Sequence, residues 1–210
     1  TPDSDSVCGG SNPSSPAKIG DALRASPILL FHYSLFTLHF YFIKETMIIR
    51  TATINDLNEI AAVEAECFPA AEAASKASLC RRLQHYPDHF WLGFEDGRLV
   101  SLVNGLVTDQ KDLTDDLYDN AAAHDENGAW QMIFGVDTVP EFRGRGCAGA
   151  LLQTAIDAAK KQGRRGLVLT CKERLLAYYA KFGFVNEGVS VSTHGGATWY
   201  QMRLTFQGVR

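Results

Sequence analysis

One stretch constrains this chain more than any other: Arg143-Gly144-Arg145-Gly146-Cys147-Ala148. It lies between an apolar strand pattern, Trp130 to Val139, and an apolar-periodic helix pattern, Ala150 to Gln162. Glycines let backbone N–H groups converge on an anion without side-chain obstruction. The following helix N-terminus adds partial positive charge. Arg143 and Arg145 add permanent cations. Together these features read as a pyrophosphate site. The string Gly144-x-Gly146-x-x-Gly149 also matches a dinucleotide fingerprint. The arginines and the preceding Val139-Pro140-Glu141-Phe142 do not suit that fingerprint, and no acidic residue follows at the required distance. No G-K-[ST] of a nucleotide-triphosphate loop occurs.

The surrounding pattern alternates strands and helices. Ile48 to Thr53 reads as a strand. Asp56 caps a helix carrying Leu57, Ile60, Ala61 and Val63 and running to about Cys67. After Pro69, the Ala-rich run beginning at Ala70 reads as a second helix to about His85. Phe90 to Glu95 and Arg98 to Val107 form a hairpin around Asp96-Gly97. A polar, acidic excursion from Thr108 to Gly128 reads as a lid with a short helix over Leu113 to Ala123. Trp130 to Val139 is one apolar strand. The helix after the loop carries Leu151, Leu152, Ala155, Ile156 and Ala159 on one face and ends at Gly163. Gly166 to Cys171, the residues from Phe182 and the run Thr198 to Thr205 supply further strands, with a short helix over Leu175 to Lys181. The expected fold is α/β (α+β): a mixed, mostly antiparallel sheet of about seven strands with helices on both faces.

Composition narrows the partners. The chain has 210 residues, 46% hydrophobic and 21% charged, with a formal net charge of −4. That excludes wholesale disorder and argues against a nucleic-acid partner, which calls for a basic excess. Five widely spaced cysteines without a C-x-x-C read as reduced thiols in a cytoplasmic protein, not as disulfides or a metal knuckle. No metal site is expected. The first Met is Met47. Residues 1–46 combine a Ser/Pro/Gly-rich tract with the uncharged run Ile28 to Ile43, too short and too polar for an ordinary spanning helix. The expectation is a disordered or artefactual extension before a domain over 47–210. A real peripheral extension and a membrane anchor are the alternatives.

Two motifs resemble a known family. Val136 to Ala148 resembles the acetyl-CoA loop of the GNAT acetyltransferases, pattern [RQ]-x-x-G-x-[GA], through Arg143, Gly146 and Ala148. Ala177-Tyr178-Tyr179-Ala180-Lys181-Phe182-Gly183-Phe184 resembles the family's second mark. Cys67-Phe68-Pro69 and Leu169 to Glu173 are similar to the arylalkylamine (serotonin-type) N-acetyltransferases and their bacterial relatives. The resemblance implies a sheet that splays beside the loop, with acetyl-CoA as co-substrate. Its pantetheine arm would lie along Val136, Asp137, Thr138 and Val139, and its pyrophosphate on the amides from Gly144 to Ala148, with Arg143 and Arg145 alongside.

The implied reaction is direct attack of a primary amine on the acetyl thioester. A backbone N–H near Val136 would stabilise the oxyanion, and Tyr179 would act as general acid toward the leaving thiolate. The vertebrate arylalkylamine enzymes carry two histidines where this chain has Met132 and Phe134, so the base must come from elsewhere. The candidates are Glu66 and Glu72, with His124 behind them. Asp112, Asp115, Asp116, Asp119 and Asp125 would draw a cationic amine. Phe68, Trp91, Trp130, Phe134 and Trp199 are candidates to line an arylalkyl pocket. The expected acceptor is a small amine, with no membrane partner, in a monomer or homodimer. A non-catalytic acyl-CoA-binding regulatory module is the competing reading. A membrane-tethered interaction protein, using the run Ile28 to Ile43, is a third.

Overall fold

The computed structural model describes residues 47–208. The expected extension over 1–46 lies outside the described residues. The first described residue, Met47, has a buried side chain. Strand β1 (Ile48–Thr51) leads into helix α1 (Leu57–Cys67) and helix α2 (Lys76–His85). Strands β2 (Phe90–Glu95), β3 (Arg98–Asn104) and β4 (Val107–Thr108) follow, then the short helix α3 (Asp115–Asp119). Strands β5 (Trp130–Ile133) and β6 (Gly135–Thr138) precede helix α4 (Cys147–Lys161). The chain closes with β7 (Gly166–Cys171), helix α5 (Leu176–Ala180), β8 (Val185–Val189) and β9 (Tyr200–Thr205).

The strands form two sheets, ordered β1-β2-β3-β6 and β4-β5-β7-β9-β8. Every pairing is antiparallel except β5 with β7. This is the expected mixed α/β architecture, with nine described strands rather than about seven. The difference arises where long apolar runs break. Trp130 to Val139 is not one strand. β5 pairs with β7 up to Ile133↔Leu169, and after Phe134 the chain pairs with β3. The run Arg98 to Val107 breaks at Gly105, where an added Cβ would stand 1.8 Å from the Met132 carbonyl oxygen. Only glycine permits that backbone approach.

Local signals explain most element ends. Asp96 and Gly97 both have positive φ, 51° and 78°, as a two-residue type I′ hairpin turn requires. Gly163, at φ 74°, ends α4: its N–H meets Lys160 O and the Arg164 N–H meets Ala159 O, a Schellman pair. The second helix is shorter than the Ala-rich run suggested. It begins at Lys76 because Ser75 caps it, accepting from the Ser78 N–H at 3.1 Å. Residues 70–74 are instead a turn whose backbone folds onto Pro69 O.

The excursion over 108–128 is pinned, not loose. Leu113 and Leu117 are fully buried. Asp112 pairs with Arg203 at 2.7 Å, and Asp115 accepts from the Ser192 hydroxyl and the Thr193 N–H. Its helix is shorter than expected, spanning Asp115–Asp119 followed by a 3-10 turn over Ala121–Ala123.

Candidate active site

The strand break at Phe134 creates the site. Val139 N–H bonds Val100 O, and hydrogen bonding alternates along an antiparallel pair. Gly135 and Asp137 therefore turn their backbone groups toward β3, whereas Val136 and Thr138 turn theirs away from it, toward the gap that opens beside β7. Arg143 Nε donates to Thr138 O at 3.0 Å across that edge. The gap leads into a cavity of about 290 Å³. Its walls come from α1 and α2, the break around Phe134, the end of β7, α5 and the turn around His194.

At the other end of β6, Gly144 and Gly146 take φ of 77° and 91°. This bends the chain so that α4 begins at Cys147. Among the described residues, the amides of Gly144, Arg145, Gly146, Cys147 and Ala148 meet no backbone acceptor. Arg143 and Arg145 are exposed beside them, and the Arg145 guanidinium lies 4.5 Å from the Phe142 ring centroid. Free N–H groups, a helix N-terminus and two guanidinium groups fit a pyrophosphate. The edge of β6 that pairs with no described strand fits an extended amide-bearing arm.

The proposed acid lies at the cavity. Tyr179 lines it and is 6% exposed. Burial raises the phenol above its usual range, so it stays protonated. Its hydroxyl makes no hydrogen bond among the described residues, and its ring packs edge-on against Tyr178 and Phe184. Tyr178 packs against Phe182 and lies outside the cavity walls.

The candidate bases separate. Glu66 is exposed and lines a different, shallow groove with Gly97 and Arg98. The structure does not bring it to Tyr179. Glu72 does line the cavity, but Lys172 Nζ holds its carboxylate at 2.6 Å. His124 sits elsewhere, with His89, Glu126 and Arg164. His124 Nδ1 accepts from the Val107 N–H at 3.2 Å, which leaves its proton on Nε2, facing Glu126 at 3.3 Å. His89 Nδ1 faces Gln131 Oε1 at 2.7 Å, its Nε2 faces Glu126 Oε2 at 2.8 Å, and Arg164 takes the other Glu126 oxygen at 2.6 Å. The His89–His124–Glu126 group has metal-ligand residue types in close approach. Its donors are committed to hydrogen bonds, which makes it a strut under β4 and β5.

One carboxyl group that the motifs did not single out, that of Glu64, reaches the cavity, and the carboxyl of Asp137 lies buried behind its wall. Glu64 is 5% exposed and lines the cavity, and Asp137 is 1% exposed behind Gly135. Arg82, also buried, reaches Asn104 Oδ1 at 3.3 Å and Tyr118 O at 2.9 Å, with its guanidinium 4.8 Å from the Phe134 ring centroid. The sequence signal for Glu64 is its place, seven residues after Leu57, in the buried stripe of α1 with Ile60 and Val63. Of the acidic excursion, only Asp119 lines the cavity. Phe68, Phe134 and Trp199 line it, whereas Trp91 and Trp130 are buried elsewhere.

A sheet that parts beside a phosphate-binding helix start, with a cavity at the parting, defines an acyl-CoA transferase type of site. Residues 55–184 match the acetyltransferase (GNAT) family, and the chain belongs to it. The family's co-substrate is acetyl-CoA. Among curated proteins, the chain is similar to serotonin N-acetyltransferase of Mesocricetus auratus, 28% identical over 115 residues, 54% of each chain. The chain thus spans about half the length of that relative. Among solved structures, it is similar to the loading GNAT-like domain of CurA from Lyngbya majuscula, 15% identical with a TM-score of 0.66, covering 76% of this chain and 97% of that one. It is also similar to a PaiA N-acetyltransferase from Thermoplasma acidophilum in complex with coenzyme A, 18% identical with a TM-score of 0.57, covering 76% and 99%. These structural likenesses establish the shared fold.

Proposed function

We propose that this protein transfers the acetyl group of acetyl-CoA to the primary amine of a small molecule by direct attack. The observation that carries the reading is the strand break at Phe134. It turns the backbone of Val136 away from β3 beside a cavity that Tyr179 lines. The free amides from Gly144 to Ala148, with Arg143 and Arg145, hold the pyrophosphate. The Val136 N–H is the donor for the developing oxyanion. Tyr179, protonated and without a competing hydrogen bond, gives its proton to the departing sulfur. Phe68, Tyr118, Phe134 and Trp199 supply apolar and aromatic wall, and Asp119 supplies a carboxylate that Lys172 does not take, as it takes Glu72. That combination suits a small arylalkyl amine entering as a cation. The four described cysteines are all free, which supports a reducing, cytoplasmic setting. No described helix is long and apolar enough to cross a membrane.

Thiol release from acetyl-CoA, measured with tyramine, spermidine and a peptide N-terminus in turn, tests the reading. Amine-dependent release is expected. Acetyl-CoA binding without release on any amine supports the non-catalytic acyl-CoA-binding module instead.

A further inference from the structure

We propose that Glu64 and Asp137 form a single carboxyl pair sharing one proton, and that this pair, through Glu64, accepts the proton of the incoming amine. The inference rests on the acetyl-transfer reading of the cavity and supplies the base which that reading lacks.

The pair is built by three elements. On α1, Glu64 and Glu66 are two residues apart, about 200° of helical rotation, so one faces the cavity while the other faces solvent. On β6, Gly135 and Asp137 share a face opposite Val136 and Thr138. An added Cβ on Gly135 would stand 2.7 Å from Asn104 Nδ2 and 3.2 Å from Asp137 Oδ1, so the glycine leaves room for both polar groups. The α1–α2 turn supplies the third element: the Ala74 N–H donates to Glu64 Oε1 at 2.8 Å and holds that carboxylate in place.

Both carboxyl groups are buried, and three of their four oxygens, Glu64 Oε2 and both Asp137 oxygens, meet no protein donor. The Asp137 carboxyl lies against Gly135, which lines the same cavity as Glu64, and the charge of Glu64 acts on it. Two adjacent buried carboxyl groups cannot both ionise. Burial and the Glu64 carboxylate raise Asp137 well above the usual carboxylate range, so Asp137 keeps the proton and donates it to Glu64. Arg82 opposes that shift, and Cys67 and Tyr179 are the other titratable groups facing Asp137. The pair therefore carries one negative charge beside the cavity that Glu64 lines.

The proton balance then closes. A primary amine with a pKa of about 10 arrives as an ammonium ion and must lose a proton before its lone pair can attack. Glu64 takes that proton, directly or through one water. The nitrogen–carbon bond forms and the carbon–sulfur bond breaks. Tyr179 protonates the sulfur and recovers a proton from the acylated nitrogen. The sum is ammonium plus thioester giving amide, thiol and one proton, which Glu64 releases to solvent. Asp137 acts through Glu64 and is a positioning residue.

The test uses acetyl-CoA with whichever of the three probe amines the wild type acetylates. Glu64→Gln is expected to lower kcat about 10²-fold, to remove the acid limb of the pH profile of kcat/KM, and to leave acetyl-CoA affinity unchanged. Glu64→Asp retains more activity than Glu64→Gln, and Glu66→Gln matches wild type. In infrared spectra at neutral pH, wild type shows the carbonyl stretch of a protonated carboxyl group, and Asp137→Asn loses it. Should that variant fail to fold, isotopic labelling of aspartate in wild type shifts the same band. Full activity with an unchanged pH profile in Glu64→Gln overturns the acceptor role. Absence of an aspartate-derived protonated band overturns the shared proton. A wild type that binds acetyl-CoA but acetylates no probe amine refutes the transfer reading, and with it the acceptor role, whatever the infrared band shows.

Discussion

Glu64 and Glu66 show what a single residue's setting decides. Sequence reasoning ranked carboxylates by nearness to Cys67-Phe68-Pro69 and chose Glu66 and Glu72. The helical stripe of Ile60 and Val63 pointed instead to Glu64, because a charged residue inside a buried stripe needs a reason to be there. Tyr179 was legible because its motif fixes both its helix and the strand after it. Asp137 was named along the cofactor arm, with its side chain either toward the substrate or capping the strand turn, and that its carboxyl is buried became visible only once β6 paired with β3. Another buried carboxylate permits a stability prediction. Asp56 accepts from Arg50 at 2.6 and 2.8 Å and from the Thr53 N–H at 2.7 Å, and Arg50 holds its pKa down to about 2. A folded-state pKa below the unfolded value adds stability above the unfolded pKa and loses it as pH falls. Asp56→Asn is therefore expected to cost about 1–2 kcal/mol at neutral pH and almost nothing near pH 2, as read by denaturant unfolding at both pH values. Tyr179→Phe is expected to lower kcat about 10²-fold while acetyl-CoA affinity holds.

At the scale of elements, the end of α4 was readable because its stripe and Gly163 agree, whereas its start lies three residues before the expected Ala150, at Cys147. The Ala-rich stretch before α2 misled, since helix propensity is a weak prior and the Ser75 cap decides where the helix starts. The run Trp130 to Val139 is apolar throughout and gives no alternation to mark a change of partner. Only Gly135 hints at the break, and it takes tertiary pairing to expose it. Gly105 carries a comparable burden. Gly105→Ala would push a methyl into the Met132 carbonyl and is expected to cost about 3 kcal/mol or more, measurable as a lowered denaturation midpoint. In the loop, Arg143→Ala and Arg145→Ala are each expected to weaken acetyl-CoA binding about tenfold, because each removes a charge-assisted contact to phosphate. Calorimetric titration reads that directly.

For the whole molecule, the mixed sheet and its helices followed from the order of elements, and the loop motif located the turn whose amides meet no backbone acceptor. The acidic excursion is tied down by two of its five aspartates rather than lying open as a lid: Asp112 bonds Arg203 and Asp115 the 192–193 turn. Every element and cavity wall described lies within residues 47–208. A chain beginning at Met47 is expected to keep the fold and the acetyl-CoA affinity of the full chain, as checked by circular dichroism and titration. The central claim is that acetyl-CoA lies along the free edge of β6 with its pyrophosphate on the start of α4. Amide hydrogen exchange with and without acetyl-CoA tests it most directly. The account predicts new protection confined to the amides of Val136, Thr138 and Gly144 to Ala148. Binding that leaves those amides unprotected, or protects a different face, would contradict it.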